Sequence, residues 1–378
     1  VMFYSSRAGA RPAALLGNSL VWTLGLVALV VPLAWVFHEQ IADALSHGRG
    51  GEVWILAAVL VPVTFLDWTT HNQVIGALRF AFFNALAVGS RLVYLVGIVV
   101  LVAILGLGVG AAVVATILAS AVMVAGSLPS ILRAGRPHFD GPLMRSMLRY
   151  GARVQVGSLF QAANTRLDVL ILQAYRPLAD VGYYIVAQTI AELVITLASA
   201  FQTSILPLVA RYEGEDRQET TSADSIRHYG ILAGAATLAN AAFGTAVILF
   251  AYGPEFHPAV TPMLVLLPGI WFLGIGMVIQ GDLSGRGRPG LSSMLAGMAA
   301  VVTVAFDFLL IPPYGVVGAA CASVIAYTTF GTASMIALSR VSRIPLRRML
   351  VPRRADFAAY GRAVGVLAAR LRRNRKHG

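Results

Sequence analysis

The chain has 378 residues, 57% of them hydrophobic and 12% charged, and a formal net charge of +12. Soluble domains carry about 25% charged residues, so the composition argues against a water-soluble globular protein and for an integral membrane protein. The positive balance does not point to nucleic acid, because the basic residues gather in particular connections where membrane topology explains them.

Uncharged apolar runs of about 20 residues recur, the length of a helix across ~30 Å of hydrocarbon. The alternating segments of about ten residues that mark a membrane β-barrel do not occur. The expected fold class is therefore all-α and polytopic, with ten spans near 15–37, 53–74, 86–105, 110–132, 151–172, 181–210, 229–251, 259–280, 291–311 and 316–338. Alternate connections differ in charge. One set holds Arg7 and Arg11, Arg79, the run from Arg133 to Arg153, Arg211 to Arg227, Arg286 and Arg288, and a basic tail. The other holds only Arg49 and Arg176. Positive residues stay inside, which places both termini in the cytoplasm and the chain in the inner (plasma) membrane as a multi-pass protein. The outer connections are short apart from 38–52, leaving no room for the site of an enzyme that joins sugars outside the cell. No cleavable signal is evident, and the opening Val1 suggests a truncated or reassigned start. The single cysteine, Cys321, excludes an internal disulfide.

An internal repeat is visible at an offset of 208: Gly110, Ala111 and Ala112 fall on Gly318, Ala319 and Ala320, and Gly89 falls on Gly297. The same shift lays the first four spans onto the last four, leaving the fifth and sixth without partners. Two six-helix lobes, the first lacking two helices, account for this. The expected organisation is a partial first lobe over 1–132, a basic cytoplasmic connection over 133–150, a second lobe over 151–339 and a basic tail over 340–378. The connection is rich in arginine and broken by Pro137 and Pro142, as expected of a segment on anionic headgroups. In the tail, Phe357, Tyr360, Val364, Leu367 and Leu371 follow helical spacing among arginines and suggest an interfacial helix.

The fifth and sixth spans carry the polar residues. In the sixth, Gln188, Glu192, Thr196, Ser199 and Thr203 are spaced 4, 4, 3 and 4 apart and should line one stripe of a helix. In the fifth, Gln161, Asn164 and Asp168 share one face, and Gln155 and Arg166 the opposite one. Arg166 and Glu192 both lie more than ~10 Å deep on antiparallel neighbours, so an ion pair between them is geometrically accessible. A lone charge at that depth costs ~2.5–3.5 kcal/mol even on lenient scales, so each must pair or face a wet cavity. Asp307 and Arg91 are further intramembrane charges, expected to fasten helices or reach the interface.

Other motifs carry no chemistry. The stretch 106–110, GLGVG, lies in an outer hairpin with no preceding strand, and GRGRPG at 285–290 lacks the Lys-Ser/Thr of a phosphate loop. The seven histidines show no ligand spacing, so neither a metal site nor a cofactor is expected. No nucleophile elbow or HExxH pattern occurs, so no enzyme is expected.

The second half also resembles a known family. The stretch RYGARVQVGSLFQAANTRLDVLIL, followed by ADVGYYIVAQ and SILPLVARYEG, supplies Arg166, Asp168, Val181, Gly182, Tyr183, Val186, Ala187 and Pro207 in the pattern that opens the second lobe of Wzx-type polysaccharide flippases. These belong to the multidrug/oligosaccharidyl-lipid/polysaccharide exporter superfamily. FDFLLIPPYGVVGAA resembles a later motif of the same family, with Asp307 near its usual Asn. The resemblance covers nearly all of residues 10–340. It implies two pseudo-repeated bundles around a central cavity, here lacking two amino-terminal helices, that move a lipid-linked oligosaccharide on an undecaprenyl pyrophosphate carrier. Arg166 and Arg91 would then attract phosphate; Asn164, Gln161, Gln188 and Thr196 would bind sugar; Glu192 or Asp168 would hold a coupling ion. Polysaccharide polymerase and assembly proteins would be partners, besides anionic lipids. A cation-coupled multidrug exporter and a peptidoglycan lipid-precursor flippase share the fold and stay open as alternatives; a polymerase or ligase is disfavoured by the short outer loops.

Overall fold

The computed structural model describes residues 1–7, 9–46, 51–212, 215–354 and 356. All regular structure among these is helical. The chain divides into two compact units, Val1–Ala152 and Arg153–Gly378.

The first unit contains α1 (Met2–Ser6), α2 (Pro12–Ser46), α3 (Gly51–Gly76), α4 (Phe80–Gly97, extended by a π-helical turn at Ile98–Ile104), α5 (Gly108–Leu132) and the opening of α6 (Gly141–Asn164). α3 packs on α2 and α5, and α4 packs on α5. The sequence of α5 explains its place: Ala111, Ala115, Ala119, Met123, Ser127 and Ile131 recur every fourth residue and are buried. Small side chains on one stripe let membrane helices approach closely where no hydrophobic force drives them together. Thus a methyl added at Gly97 would lie 2.9 Å from Cβ of Ala115, and Ser90 Oγ donates to the Ala119 carbonyl at 2.9 Å. Asn18 fixes the entry to α6. Its Nδ2 donates to the Asp140 carbonyl at 3.0 Å and its Oδ1 accepts from the Asp140 N–H at 2.9 Å. Asp140 Oδ1 then caps α6 through the Leu143 N–H at 2.9 Å.

The second unit contains the rest of α6, α7 (Leu167–Tyr175), α8 (Leu178–Ala191), a 3₁₀ turn (Glu192–Val194), α9 (Ile195–Arg211), α10 (Glu215–Val247, with a π-helical turn at Ile248–Tyr252), α11 (Val260–Gly285), α12 (Pro289–Ser342) and α13 (Leu346–Leu350). α11 is its centre, packed by α8, α9, α10 and α12. Glycines make that packing possible. A methyl at Gly281 or Gly285 would stand 2.6 Å from the carbonyl oxygen of Gln202 or Leu206, which brings α9 onto the backbone of α11.

At ~1.5 Å per residue, the 54 residues of α12 would run more than twice the thickness of the hydrocarbon. It is two spans joined at Gly315, whose φ of 57° and ψ of −130° leave the helical region. Contacts along α6 and α7 show the reversal. Ser293 meets Arg153, Thr303 meets Asn164, and after the bend Ser323 returns to Asp168. Among the described residues eight helices are long and apolar enough to cross a membrane. The two expected spans 291–311 and 316–338 lie within one of them, and the expected span 151–172, broken between α6 and α7, is not among them. The repeat offset of 208 holds for the helix ends: α3, shifted, covers 259–284, against Val260–Gly285 for α11. The expected interfacial helix over 357–371 lies outside the described residues.

Candidate functional site

The expected continuous helix 151–172 stops at Asn164 and restarts at Leu167, with Arg166 at φ −135° and ψ −21°. The local sequence favours this break. Thr165 bonds its own backbone, its Oγ1 donating to the carbonyls of Gln161 (3.3 Å) and Ala162 (3.2 Å). Asp168 lies in the first turn of the new helix, where a negative charge is favourable, and its Oδ1 accepts from the Val169 N–H at 2.7 Å. Gln188 Nε2, from α8, donates to the Thr165 carbonyl at 3.0 Å and satisfies a group the break would leave open. The helix that supplies Gln188 is itself interrupted one turn later, at the 3₁₀ turn Glu192–Val194. There Asn240 Nδ2 donates to the Ile190 carbonyl at 2.9 Å. Two adjoining helices are therefore broken side by side. In membranes irregular backbone is tolerated only inside protein or along a water-filled path, and it often marks a transport site.

Beneath the break lies a buried polar cluster. Asp168 is fully buried, and its Oδ2 accepts from the Tyr184 hydroxyl at 2.5 Å and from Ser323 Oγ at 3.2 Å. Tyr184 and Ser323 also bond each other at 3.1 Å. One turn earlier, Thr303 Oγ1 donates to Asn164 Oδ1. Thr303 and Asp307 are four apart on α12, as Asn164 and Asp168 are across the break, so the two helices carry Asp307 to the level of Asp168. Asp307 is fully buried as well, and among the described residues neither of its carboxylate oxygens has a hydrogen-bond partner. Expected to fasten helices or to reach the interface, it fastens none by hydrogen bond or ion pair among the described residues.

The predicted site residues separate into two sets. Asn164, Asp168 and Gln188 are buried and engaged with their own unit. Arg166 and Thr196 are exposed, with Glu192 and Gln161 intermediate. Among the described residues no ion pair joins Arg166 to Glu192, so the pairing that their spacing made accessible is not made, and exposure is the alternative left for Arg166. The expected single stripe on the sixth span also divides: Gln188 faces inward, whereas Thr196 and Ser199 face outward. A 3₁₀ turn advances ~120° per residue instead of ~100°, so the three residues at Glu192–Val194 rotate the following helix by about 60°. Arg91 lies in the first unit, exposed on α4 beside the exposed Val88, Leu92 and Leu95.

Sequence reasoning missed Tyr184, Ser323 and Thr303. The signal was present in part: both Asn164–Asp168 and Thr303–Asp307 are polar pairs at i, i+4 in apolar spans. It also missed Asp282, which is fully buried and accepts from Arg286 Nε at 2.5 Å while Arg286 reaches Ser222 Oγ at 2.9 Å.

Residues 17–261 match the model of a family described as polysaccharide biosynthesis protein. Over 324 residues the chain is 23% identical to the "Probable low-salt glycan biosynthesis flippase Agl15" of Haloferax volcanii, covering 84% of this chain and 67% of that one. Its fold is similar to that of an Asp-to-Asn mutant of the Vibrio cholerae MATE transporter VcmN, with TM-score 0.76 at 13% identity, covering 90% of this chain and 84% of that one. It is also similar to an inward closed conformation of the lipid II flippase MurJ, with TM-score 0.59 at 16% identity, covering 92% and 76%.

Proposed function

The chain belongs to the polysaccharide biosynthesis family of multi-pass membrane proteins, and from that footing we propose that it carries a lipid-linked oligosaccharide across the cytoplasmic membrane by alternating access. The observation that carries this reading is the exposure of Arg166 at the break between α6 and α7, in a segment read from the sequence as a span, where among the described residues it makes no salt bridge. A guanidinium facing acyl chains would be costly, whereas one facing a wet path attracts a phosphate. Thr196, which is exposed, and Gln161, which is half-buried, would hydrogen-bond sugar, while Asn164 and Gln188 hold the broken helices in shape. The prenyl tail would stay in lipid. The flippase described for Haloferax volcanii and the fold shared with a lipid II flippase support the substrate class. The distribution of arginines supports a cytoplasmic location for both termini. Polysaccharide polymerase and assembly proteins would receive the product.

Coupling to an ion is assigned to Asp168 and Asp307 together, with Glu192 as a third carboxylate nearer the path. The open oxygens of Asp307 beside the anchored Asp168, Thr303 and Ser323 supply the oxygen ligands a hard monovalent cation takes, and equally a place for a proton. The same cluster favours one competing reading, a cation-coupled multidrug exporter, which would not need Arg166.

The test is export in proteoliposomes loaded with a lipid-linked oligosaccharide, read by an impermeant hydrolase that removes the headgroup once it crosses. Headgroup cleavage by wild type that is lost with Arg166→Ala supports the reading. Unaltered cleavage by Arg166→Ala, or transport of organic cations in its place, would overturn it.

A further inference from the structure

After the last span the chain folds back on itself. At Arg343 the backbone enters the left-handed region (φ 56°), and the residues that follow pack against the start of α10. Ser339 Oγ donates to the Ile344 carbonyl at 2.7 Å, and Ile344 and Met349 are fully buried. Arg348 donates to Thr220 Oγ1 at 3.0 Å. The end of the segment is held by Arg227, which is 3% exposed: its Nε and Nη2 donate to the two oxygens of Asp356 at 2.7 and 3.0 Å, and its Nη1 donates to the Arg348 carbonyl at 3.1 Å.

The outer side of this strap is a different surface. Leu346, Leu350 and Val351 remain 40, 39 and 46% exposed within ten residues of the end of α12. Around them Arg343, Arg347, Arg353 and Arg354 are exposed and make no ion pair among the described residues. The only acidic residue from 343 to 356 is Asp356, already committed to Arg227. Exposed leucines ringed by unpaired arginines, fixed in place just beyond a membrane span, fit the boundary between headgroups and acyl chains. A second copy of this chain would set four arginines against the same four, and a soluble acidic partner would leave the leucines unexplained.

We propose that the strap from Arg343 to Asp356 is an interfacial anchor that binds the anionic phospholipid headgroups of the leaflet where the last span ends. The choice of the cytoplasmic leaflet rests on the orientation given above. A hundredfold range of affinity is within reach of such a surface, since each arginine near an anionic membrane is worth roughly fivefold.

The full chain carrying Cys321→Ser and Leu350→Cys, labelled with bimane, would be placed in nanodiscs of phosphatidylcholine with or without phosphatidylglycerol. Lipids with a nitroxide near the headgroup should quench the label, more strongly when phosphatidylglycerol is present. Replacing Arg343, Arg347, Arg353 and Arg354 by Gln should remove that lipid dependence. Quenching by aqueous iodide alone, equal in both lipids, would overturn the proposal, as would disulfide-linked dimers through position 350. The wild-type arginines decide the matter even where the fourfold variant fails to accumulate. Reaction of the unlabelled Leu350→Cys chain with an impermeant maleimide, in intact cells against inverted vesicles, reports orientation separately. Reaction in intact cells overturns the choice of leaflet, whereas iodide-only quenching overturns the lipid contact.

Discussion

Asp168 and Asp307 stand at matching levels on packed helices, yet one carboxylate is held by three donors and the other by none. Tyr184, Ser323 and the Val169 N–H fix the position of Asp168. The oxygens of Asp307 are buried and open. Burying a polar group without a partner is costly, so a protein that keeps one at this depth gains something elsewhere. An anchored carboxylate beside a free one is a site in which a cation or proton is held on one side by a rigid ligand. The other side can be supplied or withdrawn as helices move.

Substitutions at the two positions should therefore behave differently. Asp307→Asn leaves no hydrogen bond broken and should melt within a few degrees of wild type, whereas Asp168→Ala strands Tyr184 and Ser323 at a cost of about 1–3 kcal/mol. A bound ion stabilises by mass action, about 2.7 kcal/mol at a hundred times its dissociation constant. Melting curves of the purified protein in lithium, sodium, potassium or choline chloride should show an ion-specific rise in Tm for wild type and none for Asp307→Asn. An equal response to all four salts in both proteins would remove Asp307 from the ion site.

Arg166 makes no side-chain hydrogen bond or ion pair within its own unit among the described residues, so its loss should leave folding unchanged. Arg166→Ala and Arg166→Lys should both reach the membrane at wild-type level and melt like wild type. Transport should fall at least tenfold in the first and less in the second, because lysine keeps the charge but not the paired donors that suit a phosphate. Measured as headgroup crossing in proteoliposomes, normal transport by Arg166→Ala would separate this residue from the substrate.

The kind of fold was readable because length and composition govern it. Runs of about 20 apolar residues dictate spans. What the chain did not reveal was phase. A helix reading of Gln188 to Thr203 assumes ~100° per residue throughout, and three residues of tighter winding at Glu192–Val194 turn Gln188 away from Thr196. The break at Thr165 was equally hidden, since it depends on a Gln188 side chain from the next helix to satisfy the freed carbonyl. Asp307 looked like a fastener because nothing in its own span shows that its neighbours are spoken for. Local sequence records which groups are polar; the partners arrive from elsewhere in the chain.

Gln188 offers a test of the break as a structural device. Gln188→Leu keeps the volume but leaves the Thr165 carbonyl without its donor, which should destabilise the unit by about 1–3 kcal/mol. Gln188→Glu removes the donor at that position and brings a charge near Asp168, and should be the worse of the two. Thermal unfolding in detergent checks the order. If Gln188→Leu melts with wild type, the carbonyl is satisfied by other means and the amide is free to serve the substrate.

The strap offers a prediction in pH, because Asp356 lies outside the membrane-spanning helices. Hydrogen bonds from Arg227, followed by the Arg353 N–H, hold its carboxyl down to about 2 against an ordinary value of 3.8. His228 also approaches it, at 3.9 Å. A depressed folded value means that ionised Asp356 favours the docked strap. That contribution is complete above the ordinary value and disappears as pH falls toward the depressed one. A nitroxide at Leu350→Cys, in the Cys321→Ser background, should therefore be immobile from pH 7 to about 4 and gain mobility only below it. Asp356→Asn should be mobile throughout that range, and Arg227→Gln likewise. Should the label stay immobile in Asp356→Asn at neutral pH, the buried Ile344 and Met349 would be sufficient to dock the strap and the ion pair would be dispensable.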